Sequence, residues 1–346
     1  MTEDLSPKKF ALLLLACMAL ALAGAAAYNY THDFSGLYSR DFSVRRQEPN
    51  QHFVKMRYLM EHHGAGIKGL AFGSSRIGNV DLTAAPGGPW YNMTYSEGLP
   101  AEHLRDMQLL LAAGIRPERV LLEVNEASFR LSPEAHKYQY IRLPYGTPAE
   151  NFKTYVMYLL RPFNYITGGE WNENIFDIYG TGRPLHPWID EAIEADPALH
   201  AKDPRLDESF VVPGNRLAET LSEIRALKEL CKANGIEFSM YLGPTYHLSY
   251  LGYRGERREE LKHFQRGLAA IAPYWDFTGL NPITEDRYYF YEASHYRPIV
   301  GDMIADRIFM GGKKCPDWFG FFVTPENVDE HLKAQDEEIA GKQQKG

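Results

Sequence analysis

Lys68-Gly69-Leu70-Ala71-Phe72-Gly73-Ser74-Ser75-Arg76 is a short apolar run that opens directly into a turn of small residues. A few apolar residues bounded by glycine read as a buried strand, and the Gly-Ser-Ser turn after it reads as a strand-to-helix junction. A serine at the opening of a helix sits beside unpaired backbone N–H groups and the positive end of the dipole, an environment that favours a developing oxyanion. Ser75 also has an ordinary reading as a helix cap, a role serine fills widely. The rest of the chain must decide between them.

Working outward, the chain alternates strands and helices. Residues 50–63 read as a helix that Gly64 and Gly66 end. Trp90-Tyr91-Asn92-Met93-Thr94 reads as the end of a second strand. Residues 100–113 form a helix with Leu104, Met107 and Leu111 on one face and Gly114 as its stop. Residues 119–124 are strand-like. The strongest helix is 215–234, where Leu217, Leu221, Ile224, Leu227 and Cys231 fall at helical spacing and Gly235 closes it. Strands at 237–242 and 274–277 flank a helix at 256–271, and a last helix is expected at 298–309. This rhythm indicates a parallel sheet covered on both faces, which binds ligands at the carboxyl ends of its strands.

The chain has 346 residues, 45% of them apolar and 24% charged, with a formal net charge of −8. That is enough apolar material for a sizeable core, and it excludes disorder and disulfide-stapled miniproteins. The acidic balance argues against a nucleic-acid binder. Cysteine occurs only at Cys17, Cys231 and Cys315, so no disulfide framework is available. One bridge between Cys231 and Cys315 is left open by the sequence, although the helical position of Cys231 reads as a small buried side chain. No cofactor is implied, and the twelve histidines show no zinc-site spacing.

Lys8-Lys9 precede an unbroken apolar run over 10–27, about 27 Å of helix. An uncleaved membrane anchor is the first reading, with the lysines keeping the amino terminus in the cytoplasm. A cleaved signal peptide is the second, since Ala25-Ala26-Ala27 offers small residues at a cleavage position. A lipobox at Leu14-Leu15-Ala16-Cys17 is the third, against which the residues after Cys17 stay apolar. All three deliver the remainder outside the cytoplasm. The expected organisation is an anchor or signal segment at 1–28, a juxtamembrane linker and helix at 29–64, an α/β domain at 65–315 and a tail at 316–346, frayed from 334 onward. Within the domain, 130–214 is an aromatic-rich and Pro-rich insertion (Tyr155, Tyr158, Tyr165, Trp171, Phe176, Tyr179, Trp188) that reads either as a substrate-covering lid or as a satellite core. Asn29-Tyr30-Thr31 and Asn92-Met93-Thr94 match the glycosylation sequon, read here as coincidence.

The chemistry rests on a few segments near strand ends. Glu292-Ala293-Ser294-His295 places a carboxylate three residues ahead of an imidazole. Glu292 can hold His295 at Nδ1, leaving Nε2 free to take a proton from Ser75, a poor nucleophile without such a base. Asp276 is a fallback for Glu292. Asn125, at the end of the third strand, is expected to donate to an oxyanion together with the Ser75 backbone N–H. Arg76 is expected to pair with Glu123 or to bind an anionic substrate. Asn92 and His247 are further candidates to line the pocket.

In this order the blocks resemble the SGNH (GDSL-type) hydrolase superfamily. Gly73-Ser74-Ser75 corresponds to its Gly-Asp-Ser block, Glu123-Val124-Asn125-Glu126 to Gly-x-Asn-Asp and Glu292-Ala293-Ser294-His295 to Asp-x-x-His. The apolar N-terminus, the Gly-Ser-Ser turn and the late Ser294-His295-Tyr296 are most similar to its DltD-like and alginate-O-acetylation-like membrane-anchored branch. The resemblance covers residues 65–310 as ordered blocks. It implies a flavodoxin-like three-layer α/β/α sandwich with about five parallel strands, behind an N-terminal transmembrane helix. It further implies a periplasmic serine esterase or O-acyltransferase. Its substrate would be an acylated cell-envelope glycan or an acyl carrier, and its partners the inner membrane and a membrane-bound acyltransferase. Ser74, Glu123, Glu126 and Glu292 depart from the family residues. Those departures favour the rival expectation, a non-catalytic envelope scaffold or glycan-binding protein on the same fold.

Overall fold

The structure is a computed structural model that describes residues 6–33, 35–39, 50–136, 139–161 and 175–343. Helix α1 (Pro7–His32) and helix α2 (Gln51–Glu61) precede the first strand, β1 (Gly69–Phe72), followed by β2 (Trp90–Asn92), α3 (Pro100–Ala112) and β3 (Arg119–Val124). The insertion then contributes α4 (Pro148–Leu159), the short strands β4 (Ile175–Phe176) and β5 (Pro184–Leu185), α5 (Pro187–Ala195) and the single turn α6 (Pro197–His200). Alternation resumes with α7 (Leu217–Ala233), β6 (Glu237–Leu242), α8 (His247–Gly252), α9 (Glu256–Ile271) and β7 (Tyr274–Asp276). A tight hairpin, β8 (Phe290–Glu292) and β9 (His295–Tyr296), leads into α10 (Pro298–Phe309), β10 (Phe321–Val323) and α11 (Val328–Gln343).

The main sheet has six strands in the order β10-β7-β6-β3-β1-β2. All neighbours are parallel except β10, which runs antiparallel to β7. The expected count of about five is therefore corrected to six. The extra strand comes from the segment assigned to a tail, and α11 packs against α9 rather than fraying. Successive residues of a strand face opposite sides, and here each side has its own core. Leu70, Phe72, Val120, Leu122 and Met240 join one cluster, while Ala71, Leu121 and Tyr241 join the other. Each fully buried aliphatic of this kind contributes about 1.5–3 kcal/mol relative to exposure. Cys231 and Cys315 are free thiols in different clusters, so the bridge left open by the sequence does not form. Burial pushes the Cys231 thiol up to about 12.

Strand order reverses between β1 and β3, because β1 pairs with both β2 and β3 while the later strands add beyond β3. A crevice forms at such a switch point, outside the carboxyl ends of the strands, and Gly73-Ser74-Ser75 lies there. The turn is a 3-10 helix, Ser75–Asn79, pressed against α10. A Cβ on Gly301 of α10 would lie 1.9 Å from the Asn79 carbonyl oxygen. Only glycine permits that approach, so Gly301→Ala must displace the turn that carries Ser75.

Among the described residues, α1 is the one helix long and apolar enough to cross a membrane, with a mean hydropathy of 2.4 over its best 18 residues. Its side chains are exposed except near the end that meets the body. There Asn29 is buried and its Nδ2 donates to the carbonyls of Leu159 (2.9 Å) and Arg161 (3.0 Å). A small satellite core of Leu37, Phe53, Leu143 and Tyr158 sits beneath this junction. Part of the insertion therefore does form its own core. Tyr165 and Trp171, counted among its aromatics, lie outside the described residues.

Candidate active site

Ser74 and Ser75 are neighbours with opposite fates. Ser74 turns inward, where its Oγ donates to Glu123 Oε2 (3.1 Å) and accepts from Asn125 Nδ2 (3.0 Å) and the Arg76 N–H (3.3 Å). Thr94 Oγ1 donates to the Ser74 carbonyl, and the buried Lys55 amine donates to the Thr94 carbonyl. Burial holds that amine well below the usual lysine range. The turn is thus fixed from below by side chains drawn from α2, the β2 end and the β3 end. Ser75, half-buried, is left facing the crevice.

The Ser75 hydroxyl lies 2.6 Å from His295 Nε2, although 220 residues separate them in the chain. His295 opens β9, and the β8–β9 turn folds Glu292 back so that its Oε1 accepts from His295 Nδ1. Ser294 steadies the carboxylate with its backbone N–H to Oε2 (2.8 Å) and its hydroxyl to both oxygens (2.8 and 3.0 Å). Burial opposes ionisation of Glu292, but the hydrogen bond and charge of His295 and the two Ser294 donors outweigh it and bring the carboxyl down to about 2. The arrangement is a hydroxyl, an imidazole and an ionised carboxylate in one line. It can deprotonate Ser75 as the hydroxyl attacks a carbonyl carbon.

The groups free to donate to an oxyanion beside Ser75 differ from the expectation. Asn125 is buried, and its two amide protons go to Ser74 Oγ and Glu123 Oε1 (2.8 Å), so it has none for a substrate. Asn79, which lines the crevice beside Ser75, takes its place, with Nδ2 donating to the Tyr296 carbonyl (2.7 Å) and a second amide proton remaining. The Ser75 backbone N–H has no acceptor among the described residues. Asn79 was not singled out from sequence. Its signal was its place four residues after Ser75, inside the same 3-10 turn.

Three further expectations are corrected. Arg76 pairs with Glu126 in a buried two-pronged contact (2.8 and 3.1 Å), not with Glu123, and it does not line the crevice. Glu123 instead sits under Ser74; burial raises its pKa, against the pull of Arg76, Asn125 and Ser74. Asn92 ties the Ile77 carbonyl (2.7 Å) to the Thr94 N–H (2.9 Å), so its role is to hold the loops around Ser75 rather than to touch substrate. His247 opens α8 beside Glu285 and Arg287, away from the crevice. Asp276 is buried against His331, Thr278 and Gln265, and Glu292 occupies the position for which it was a fallback.

The crevice is a cavity of about 550 Å³. Its floor carries Ser75, Asn79, Thr94, Ser96, Glu292 and His295, and the insertion supplies its other wall through α5 and α6. Arg297, two residues after His295 and fully buried, pins α5 through Asp190 (2.8 Å) and Glu194 (2.7 Å). Tyr291 also donates to Asp190, and His200 donates to the Phe290 carbonyl (2.8 Å). The covering helices and the hairpin that carries Glu292 and His295 are therefore fastened together. Among the described residues no cluster of His, Cys, Asp and Glu has the form of a metal site.

Comparison with known proteins adds no family. No family model matches this chain, and no curated protein matches it in sequence.

Proposed function

We propose that this protein is a membrane-anchored serine esterase or O-acyltransferase working through Ser75, His295 and Glu292. The observation that carries the reading is the 2.6 Å approach of Ser75 Oγ to His295 Nε2, with Glu292 on the far side of the imidazole. Ser75 attacks the ester carbonyl while His295 accepts its proton, and Glu292 holds the tautomer and stabilises the imidazolium. The oxyanion receives the Ser75 N–H and the free Asn79 amide proton. Collapse expels the alcohol, which takes its proton from His295, and leaves an acyl-serine. Water then gives hydrolysis, and a sugar hydroxyl gives transfer.

The SGNH resemblance supports this reading, as does the order β2-β1-β3-β6-β7 of the five parallel strands, which is the flavodoxin-like order. Helices on both faces of that sheet would make the three-layer sandwich. Lys8 and Lys9 in the first turn of α1, ahead of its apolar run, favour a cytoplasmic amino terminus, with the body in the periplasm. The substrate in this reading is an acyl ester of a cell-envelope glycan or its carrier, with a membrane-bound acyltransferase as a partner. Labelling by a fluorophosphonate tests it. Native protein should be modified at Ser75; Ser75→Ala should abolish the label and His295→Ala should slow it at least 10³-fold. A folded protein that neither labels nor cleaves aryl esters would instead be an envelope scaffold.

A further inference from the structure

We infer that the acyl group taken up by Ser75 is an aliphatic chain longer than acetyl, seated against α5 and α6 and borne on an amphiphilic ester; this rests on the esterase reading. A water-sized group occupies about 30 Å³, so an acetyl methyl would leave most of the 550 Å³ cavity unfilled. The wall facing the catalytic groups carries Ile141, Phe176, Ile189, Ile193 and Leu199. Leu199 is 66% exposed and Ile189 39%. Both line the cavity, and a hydrocarbon chain seated there would cover part of their apolar surface.

The polar groups on the same wall already have partners. Asp196 caps α6 through the Leu199 N–H (2.9 Å), Arg205 pairs with Asp203 (2.6 Å), and His200 bonds the Phe290 carbonyl. Burial, together with the nearby His295, lowers the pKa of His186 against the pull of Asp190, so it contributes little charge. Recognition along this side falls to dispersion and burial of apolar surface. Arg297 and Tyr291 hold α5, and with it this wall, in place.

The membrane helix enters the body close to this wall. Asn29 at the end of α1 bonds the Arg161 carbonyl, the Arg161 guanidinium lies 4.3 Å over the Tyr140 ring, and the next residue, Ile141, lines the cavity. Tyr158 of α4 donates to the Tyr140 carbonyl in the same junction.

The test uses the full chain in detergent with p-nitrophenyl acetate, butyrate and hexanoate, alongside fluorophosphonate labelling. Each methylene buried in an apolar pocket improves binding about fourfold, so kcat/KM should rise at least tenfold from acetate to hexanoate. Ile189→Ser and Leu199→Ser should each cut the hexanoate-to-acetate ratio at least threefold. Acetate turned over as fast as hexanoate, with Ser75 still labelled, overturns the chain-length inference and leaves the esterase reading intact. A rise with chain length that both wall variants preserve also overturns it, because the preference would lie elsewhere. Neither labelling nor turnover removes the esterase reading and this inference with it.

Discussion

Glu292→Gln should be more damaging than Glu292→Ala, and the reason lies in Ser294. Its backbone N–H donates to Glu292 Oε2 at 2.8 Å. In the glutamine variant that donor selects the amide oxygen for the Oε2 position and turns the NH2 toward His295 Nδ1. The imidazole must then accept at Nδ1 and carry its proton on Nε2, where it faces Ser75 and cannot accept from it. An equivalent tautomer error in a Ser-His-Asp triad costs about 10⁴ in rate, and a loss of 10³–10⁴ is expected here. In Glu292→Ala the Ser294 hydroxyl, 2.9 Å from Nδ1, remains as an acceptor and preserves the correct tautomer. Its loss should be about 10², because charge stabilisation goes but orientation partly survives. The assay is the second-order rate of Ser75 modification by a fluorophosphonate, followed by intact mass. A glutamine variant within tenfold of native, or one faster than the alanine variant, would refute this account of how the imidazole is held.

Asn79→Ala should lower ester turnover about 10²–10³-fold, beyond the modest stability loss from freeing the buried Tyr296 carbonyl, whereas Asn125→Ala should act mainly on stability by freeing buried Ser74 and Glu123; steady-state kinetics and melting curves separate the two. Arg297→Met leaves Asp190 and Glu194 without their cation, a loss of about 2 kcal/mol, and limited proteolysis should accelerate within 187–200. Glu292 sits at about 2, below its ordinary value of 4.5. Its contribution to folding is therefore complete above pH 4.5 and is lost as pH falls through about 2. The melting temperature of Glu292→Gln should lie below native at pH 6, with the gap narrower at pH 3. Gly301→Ala forces the 3-10 turn away from α10, an overpacking cost of about 1–3 kcal/mol, and should slow Ser75 labelling as well as lower the melting temperature.

Several elements could be read from sequence because local pattern and tertiary environment agree. β3, β6, α9 and α10 fall where apolar runs, helical spacing and flanking Gly or Pro place them. β10 was hidden because it is three residues long, with Phe321 and Phe322 nearly half exposed. α11 was hidden because its segment is rich in Lys, Glu and Gln. It buries Val328 and Leu332, but much of its hold comes from Gln335, which bonds Gln265, Arg258 and Thr278 from elements far away in the chain.

The same division runs through the site. Glu292 and His295 were legible because a carboxylate and an imidazole three residues apart meet within one turn. Ser75 was legible because a strand runs straight into a Gly-Ser-Ser turn. Asn125 was misread because sequence cannot show that Ser74 and Glu123 compete for its amide. Lys55, Arg297 and Asn79 went unnoticed for a related reason: each acts through a backbone carbonyl or a distant carboxylate that only the fold brings near.

The most direct measurement is intact-mass analysis of the full chain after fluorophosphonate treatment, with the modified peptide mapped. The account predicts a single adduct on Ser75, lost in Ser75→Ala and slowed at least 10³-fold in His295→Ala. An adduct on another serine, or Ser75 labelling in His295→Ala within tenfold of the native rate, would contradict it.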